Sequence, residues 1–265
     1  MHERILMCPP TYFSIDYAIN PWMSEETNSD LELTKKQWNN LKSTLESLGA
    51  EIVEMEPQPN LPDLVFTANA AVVYNKIAII SRFRFEERRP EEQFFADWFR
   101  NNGFIVSLLP EEICFEGAGD ALFIGDTLFS GHAPRTDINS HAHIAKIFNI
   151  NVLSLELVDK RFYHIDTCFC PLTDGYVIYF PGAFDEYGNK VIEANVPPEK
   201  RIAVTEEEAC KFSCNAVSLG KNVVMNKTTD RLKKVLADKG FNTHEVDLSE
   251  FLKSGGSAKC LTLKV

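Results

Sequence analysis

Apolar residues recur at helical spacing in four segments of the chain, and each segment is followed by a short strand-like run. In the first segment the helical spacing is carried by Trp38, Leu41, Leu45 and Leu48. Gly49 predicts the end of this helix, and residues 51–53 predict a strand. The same order is found in EEQFFADWFRNNGFIVSLLP, SHAHIAKIFNINVLSL and TDRLKKVLADKGFNTHEVDL. The pattern therefore predicts a repeated helix–strand unit.

Hairpin patterns lie between these helices. Two short apolar runs with a polar turn are visible in NAAVVYNKIAII, DALFIGDTLF, FCPLTDGYVIYF and NAVSLGKNVVM. The run CLTLKV supplies only one strand, and we expect the strand at residues 4–7 to pair with it and close a ring. This arrangement gives about five units of about 53 residues each, a period typical of closed arrays.

The predicted fold class is α/β, as a propeller of about five hairpin–helix–strand units. A doubly wound sheet would also alternate helices and strands, but it does not need an antiparallel hairpin in every unit. No linker or low-complexity tract divides the chain, so we expect one domain over residues 1–265.

Composition narrows the range of partners. The formal charge of −11 disfavours nucleic acid and anionic membranes; it favours a cationic substrate, although an acidic surface also serves solubility alone. We find no secretory signal and no membrane span, and the seven cysteines follow no disulfide spacing. We therefore expect a cytoplasmic protein with free thiols.

Three residues that carry chemistry fall at similar distances from the predicted helix ends. Asp63, Glu116 and His164 each lie 13 or 14 residues after the end of a helix, which predicts that they converge at one mouth of the ring. Cys260 lies in the corresponding part of the last unit, after a glycine-rich stretch. The stretches Asp16–Ser29 and Ser254–Ser257 are candidate lids by composition.

Two acids, a histidine and a cysteine suit attack on a guanidinium carbon. Carboxylates orient the guanidinium N–H groups, and the cysteine attacks as thiolate once a neighbouring cation lowers its pKa. That cation could be histidine or the substrate itself. Histidine would protonate the leaving amine and then activate water. This chemistry requires neither a metal nor a cofactor, and we expect none.

The motifs LPDLVFTAN, FEGAGDALF, GHAPRTDIN, YHIDTCF and GGSAKC resemble the guanidine-modifying pentein superfamily over nearly the whole chain. That superfamily contains arginine deiminases, dimethylarginine dimethylaminohydrolases, amidinotransferases and arginine dihydrolases. The resemblance implies a five-bladed α/β propeller. It also implies that Cys260 is the nucleophile, His164 the general acid/base and Glu116 the carboxylate that orients the histidine.

The resemblance also implies a binding set. Asp63 and Asp166 would hold the guanidinium, and Arg135 and Arg88 would clamp the substrate α-carboxylate. Asn69 stands where deiminases and dimethylaminohydrolases have an acid. Together with Asn20 it resembles the arginine dihydrolases, which convert arginine to ornithine, CO2 and two ammonia.

Other functions stay open at this point. Single-round hydrolysis of arginine or methylated arginine to citrulline, or amidino transfer to an amine, would use the same residues. A non-catalytic binding ring belongs to a different class, and a structural zinc site is disfavoured by the spacing of the cysteine and histidine pairs. We expect a small guanidino compound as the partner, and assembly into a homo-oligomer is left open.

Overall fold

The computed structural model describes residues 3–24 and 26–265; Met1, His2 and Glu25 lie outside the described part of the chain. The strands are β1 (Arg4–Met7), β2 (Glu51–Glu54), β3 (Ala71–Tyr74), β4 (Ile77–Ile80), β5 (Ile105–Ser107), β6 (Ala121–Ile124), β7 (Thr127–His132), β8 (Val152–Glu156), β9 (Phe169–Pro171), β10 (Val177–Tyr179), β11 (Arg201–Ala203), β12 (Val217–Leu219), β13 (Asn222–Met225), β14 (Asn242–Glu245) and β15 (Leu263–Lys264). The helices are α1 (Leu31–Ser47), α2 (Glu91–Asn101), α3 (Asn139–Phe148), α4 (Glu186–Asn195), α5 (Glu206–Cys210), α6 (Asp230–Asp238) and α7 (Ser249–Leu252).

The strands form five three-stranded sheets with one common arrangement. In each sheet the inner strand pairs antiparallel with the middle strand, and the outer strand pairs parallel with it. The predicted ring closure is confirmed, because β15 pairs antiparallel with β1 and places Leu6 opposite Leu263. The five-bladed α/β propeller is thus confirmed, with the inner strands β15, β3, β6, β9 and β12 around the axis.

Helices fill the spaces between neighbouring sheets. The apolar side of α1 packs against both β1 and the sheet of β12 and β13, in one buried cluster that contains Trp38, Leu41, Ile5 and Val224. Phe95 and Phe99 of α2 bury in the same way against β4 and β1. Each unit therefore buries apolar surface that it could not bury alone, which stabilises the ring as a whole.

Left-handed residues end the helices as the pattern predicted. Gly49, Gly103 and Gly240 have positive φ values of 93°, 79° and 81° after α1, α2 and α6. After α3 the left-handed residue is Asn149, with φ 54°, and asparagine is the residue that best replaces glycine there.

The repeat contains a fifth helix–strand unit that the periodicity did not reveal. Helix α4 and strand β11 belong to the sheet of β9 and β10. The segment EYGNKVIEAN has few apolar positions and ends on Val196 and Pro197 without a glycine, so its helical signal is weak. Within the described part of the chain, every helix is too short or too polar to span a lipid bilayer.

Candidate active site

The predicted residues lie in short turns that lead into the inner strands. Single 3-10 turns at residues 62–65, 67–69, 117–119 and 165–167 precede β3, β6 and β9. Glu116 and His164 each stand five residues before the first residue of their strand, whereas Asp63 stands eight before its own. The prediction that all three share a repeat position is therefore wrong for Asp63, because the loop before β3 contains an additional 3-10 turn.

These turns surround a small pocket at one end of the axis. Its lining residues are Ile19, Asn20, Asp63, Phe66, Asn69, Arg88, Arg135, Tyr163, Ser254 and Cys260. Glu116, His164 and Asp166 are not in the lining, but each contacts a residue that is: Glu116 accepts from Arg135, the ring of His164 packs on that of Tyr163, and Asp166 contacts Cys260. The structure thus brings all nine predicted side chains into one connected cluster.

Glu116 and His164 form a buried pair. His164 Nε2 lies 2.6 Å from Glu116 Oε2, and Arg135 Nη1 donates to the same oxygen at 2.8 Å. Burial by itself raises the pKa of Glu116, but Arg135 and His164 outweigh this effect and hold the pKa well below its usual range. Glu116 is therefore an ionised acceptor that fixes the imidazole.

Cys260 is buried beside an amide and a carboxylate. Asn215 Nδ2 donates to Cys260 Sγ at 3.0 Å, and Asp166 Oδ2 lies 3.6 Å from the same sulfur. Burial, together with Asp166, raises the pKa of the thiol. Burial also raises the pKa of Asp166 to about 7. The described surroundings of Cys260 therefore raise the pKa of the thiol instead of lowering it.

Asp63 presents an unpaired carboxylate oxygen. Tyr17 Oη donates to Asp63 Oδ2 at 2.9 Å, whereas the buried Oδ1 atom has no partner among the described residues. Burial raises the pKa of Asp63, against the influence of Arg88. An unpartnered buried acceptor in a pocket is costly and indicates a site prepared for a donor.

Arg88 is held in place by Glu91. Its Nε and Nη2 atoms donate to the Glu91 carboxylate at 2.9 and 2.7 Å, and Nη1 donates to Asn69 Oδ1 at 2.9 Å. Nη2 also donates to the carbonyl of Asp63 at 3.2 Å. Most donors of Arg88 are therefore engaged, which leaves mainly the second N–H of Nη1 for a ligand.

Arg135 links the Glu116–His164 pair to the pocket wall. Besides its bond to Glu116, it donates through Nη2 to the carbonyl of Ile19 at 2.8 Å. Its guanidinium lies between the rings of Phe85 and Tyr163, with centroids at 4.6 and 4.9 Å. These contacts fix a positive charge on the rim of the pocket.

The two candidate lids touch each other. Asn20 Nδ2 donates to the carbonyl of Ser254 at 3.0 Å, and Asn20 Oδ1 accepts from the backbone of Trp22 at 2.9 Å. Glu25, within the first candidate lid, lies outside the described residues. Asn20 therefore ties residues 16–24 to the turn that precedes Cys260.

The sequence analysis missed Asn215 and Tyr17. Besides contacting Sγ, Asn215 accepts through Oδ1 from the backbone of Cys260 at 3.1 Å and donates through Nδ2 to the carbonyl of Asp166 at 3.1 Å. A signal was present, because Phe212 to Ala216 repeats the Phe-x-x-Asn-Ala pattern of Phe66 to Ala70. Tyr17 has no comparable signal, since its partner Asp63 lies 46 residues away.

The chain matches the family model described as N,N dimethylarginine dimethylhydrolase, eukaryotic, over residues 10–265. This chain belongs to that family. Within the wider dimethylargininase-like group, it is 49% identical over 266 residues to the bifunctional arginine dihydrolase/ornithine cyclodeaminase ArgZ of Synechocystis sp.. It is 40% identical over 263 residues to the N(G),N(G)-dimethylarginine dimethylaminohydrolase of Mycobacterium tuberculosis.

Coverage differs between these dimethylargininase-like relatives. The alignment with ArgZ covers 99% of this chain but 37% of the relative, and the alignment with AgrE of Nostoc sp. covers 38% of that protein. The Mycobacterium tuberculosis relative is covered over 86% of its length. The chain therefore spans little more than a third of the two cyanobacterial proteins.

Solved structures agree with the family assignment. The N-terminal domain of ArgZ, crystallised with substrate after a cysteine was replaced by serine, superposes with a TM-score of 0.97 at 49% identity, covering 99% of this chain and 98% of that chain. A dimethylarginine dimethylaminohydrolase adduct with S-methyl-L-thiocitrulline superposes with a TM-score of 0.84 at 22% identity over the full length of both chains. The second comparison supports the fold alone.

Proposed function

We propose that this chain hydrolyses arginine in two rounds at one carbon, giving ornithine, CO2 and two ammonia. Its relationship to proteins described as arginine dihydrolases supports this proposal, although the chain spans only part of them. The observation that carries it is Asn69, a buried amide in the pocket at a position where a single-round hydrolase has an acid.

The first step is binding of the guanidinium beside Cys260. The free Oδ1 of Asp63 and the carboxylate of Asp166 supply acceptors for its N–H groups. We assign the α-carboxylate of the substrate to Arg135 and to the remaining N–H of Arg88, both of which line the pocket. Because the pocket volume is only ≈ 10 Å³, the pocket has to widen before arginine enters, and we assign this widening to the Asn20–Ser254 contact between two lining residues.

The guanidinium also activates the nucleophile. Because burial and Asp166 keep Cys260 protonated in the free protein, the thiolate becomes favourable only when a cation replaces water near it. The thiol proton passes to His164, Sγ bonds to the guanidinium carbon, and the resulting tetrahedral centre expels ammonia. His164 donates the proton to the leaving nitrogen while Glu116 stabilises the imidazolium.

Water completes each round. His164 takes a proton from water, the hydroxyl attacks the S-alkylthiouronium carbon, and the C–S bond breaks to release citrulline. In the second round Sγ attacks the ureido carbon, a second ammonia leaves, and hydrolysis gives a carbamate that loses CO2. The overall balance is one arginine and two waters to ornithine, CO2 and two ammonia.

Asn69 has the chemistry that the second round needs. The ureido group of citrulline is neutral and carries a carbonyl oxygen, so a nearby carboxylate would repel that oxygen where an amide can donate to it. In the free protein Asn69 donates to the carbonyl of Glu116 at 3.2 Å and accepts from Arg88. The amide is thus already oriented by two neighbours.

Asn215 acts in this scheme as a positioning residue. Its amide holds both the backbone and the sulfur of Cys260, and the bond to Sγ strengthens when the sulfur becomes a thiolate. We also propose that residues 1–265 form one catalytic domain in the cytosol. The closed ring and seven free cysteines support that assignment.

Product analysis tests the proposal. The purified protein is incubated with arginine and, separately, with dimethylarginine, and products are identified by mass. Cys260→Ala is the inactive variant, and Cys214→Ala is its matched control, since both cysteines are buried and stand three residues before an inner strand. We expect ornithine with two ammonia per arginine in wild type and in Cys214→Ala, and none in Cys260→Ala.

Other outcomes would support one of the alternative functions. Citrulline as the final product would replace the dihydrolase with a single-round hydrolase, and turnover only in the presence of an acceptor amine would indicate an amidinotransferase. Absence of product from both substrates, unchanged by Cys260→Ala, would leave a non-catalytic binding ring.

A further inference from the structure

A second cavity lies along the propeller axis, apart from the pocket of Cys260. Its volume is ≈ 270 Å³, and its walls come from the inner strands of all five sheets. No described residue lines both this cavity and the Cys260 pocket. Lys259 lines the cavity, and the next residue along the chain, Cys260, lines the pocket. The backbone at this point therefore separates the two spaces.

Most of the cavity wall is apolar. Val72, Leu122, Phe169, Val217 and Leu263 provide it. The polar side chains are largely engaged elsewhere: the hydroxyl of Thr262 donates to carbonyls of its own turn. Lys264 Nζ, at the last inner strand, lies 2.6 Å from Glu3 and donates to the carbonyl of Ser218 at 2.8 Å.

Lys259 differs from these groups because its charge is not paired. Its Nζ donates to the carbonyl of Thr262 at 3.3 Å, and no salt bridge joins it to a carboxylate among residues 3–24 and 26–265. An ammonium has three N–H donors, so two remain unused. Burial lowers the pKa of Lys259, against the influence of Asp166, which shows that this wall disfavours the bare charge.

We infer that the central cavity binds a small monocarboxylate, with its anionic group on Lys259 and its apolar body among the inner strands. A cavity with mostly apolar walls and a convergent unpaired charged group is a common form of small-ligand site. No acidic side chain lines the cavity to compete for Lys259. The cavity volume of ≈ 270 Å³ is several times the volume of about 30 Å³ that one water takes up in the liquid, so the cavity has room for a short carbon chain.

The donor set favours a monocarboxylate over a phosphate. A phosphate carries more charge and requires several donors, whereas the cavity offers one unpaired amine, with two N–H groups that have no partner among the described residues. A neutral molecule would leave the ammonium unpaired and would gain only the apolar contacts. Charge and apolar surface together therefore specify the ligand class.

Valerate is the probe, and its binding is followed by titration calorimetry and ligand-observed NMR. We expect saturable binding to the wild type, at least 10-fold weaker binding of the uncharged analogue valeramide, and at least 10-fold weaker binding of valerate to Lys259→Met. Lys76→Met, which removes a lysine outside the cavity, should bind as the wild type does. In Cys260→Ala, saturating arginine should not displace valerate, because the two spaces share no lining residue.

A second variant tests the cavity even if Lys259→Met fails to fold. Val73→Phe adds bulk to the cavity wall without touching a charge, and it should also weaken valerate binding. The inference is overturned if valerate is displaced by arginine, if it binds Lys259→Met as well as wild type, or if binding never saturates.

Discussion

Two loops of the propeller carry the same short pattern and make different contacts. Asn69 and Asn215 each lie two residues before an inner strand, each within a Phe-x-x-Asn-Ala segment, and both are buried. Asn69 joins Arg88 to the backbone of Glu116. Asn215 joins the sulfur and backbone of Cys260 to the carbonyl of Asp166.

The difference comes from what surrounds each amide. Asn69 and Asn215 stand at the same distance from the inner strands of their own sheets, β3 and β12. Asn69 accepts from Arg88, which lies between β4 and α2 of its own unit, and donates to Glu116 of the next unit. Asn215 contacts Cys260 and Asp166, which precede the inner strands of the two adjacent units. A repeat position therefore predicts where a side chain lies, whereas its chemistry depends on the neighbours that the fold presents.

The largest expected effect comes from Asn69→Asp. A carboxylate there would meet the ureido oxygen and the carbonyl of Glu116 with like charge, so we expect ornithine formation to fall on the order of 100- to 1000-fold while citrulline accumulates. Product ratios by mass check this, with the buried Asn226→Asp as control. Unchanged ornithine formation would remove Asn69 from the second round.

Asn215→Ala should lower kcat/KM for arginine about 100-fold, because the thiolate loses one oriented donor. The pH profile of Cys260 alkylation by iodoacetamide should move to higher pH in this variant, and Asn215→Gln should recover neither property fully. A drop in stability with no change in the alkylation profile would reduce Asn215 to a structural role.

Gly119→Ala tests the packing that holds Asn69. A Cβ atom at this position would lie 2.2 Å from Asn69 Nδ2 and 3.3 Å from His164 Nδ1, so we expect a loss of about 2 kcal/mol in the free energy of unfolding. In an Asn69→Ala background, Gly119→Ala should lower the free energy of unfolding by less, and a double-mutant cycle measures this difference. Equal costs in both backgrounds would show that the contact with Asn69 is not the cause.

The smallest effect concerns Asp166, whose carbonyl binds Asn215. The pKa of this carboxyl is raised from 3.8 to about 7 in the folded protein. Between these two pH values the folded state holds a proton that the unfolded chain has lost. The carboxyl therefore lowers the free energy of unfolding increasingly as the pH rises from about 4 to about 7. We expect Asp166→Asn to gain stability over wild type by about 1 kcal/mol more at pH 7.5 than at pH 6. Denaturant unfolding at both pH values checks it, and a gain independent of pH would contradict the raised pKa.

The periodicity of the sequence was enough to predict most of the fold. Helical spacing, left-handed helix ends and hairpin turns depend on neighbouring residues, so four units and the closing strands were visible in the chain itself. Helix α4 was not predicted because its apolar positions are few and no glycine follows its end. Its formation depends on packing of residues such as Ile192 against other blades.

In the candidate site, too, some features could be predicted from the sequence and others could not. The motifs around Cys260, His164 and Glu116 were enough to predict these residues as the reactive ones, because each motif is local. The unpaired Asp63 oxygen, the raised thiol pKa and the amide of Asn215 on Cys260 arise from residues far apart in the chain, and only the closed ring brings them together. Burial and charge pairing depend on three-dimensional neighbours, which a linear pattern does not contain.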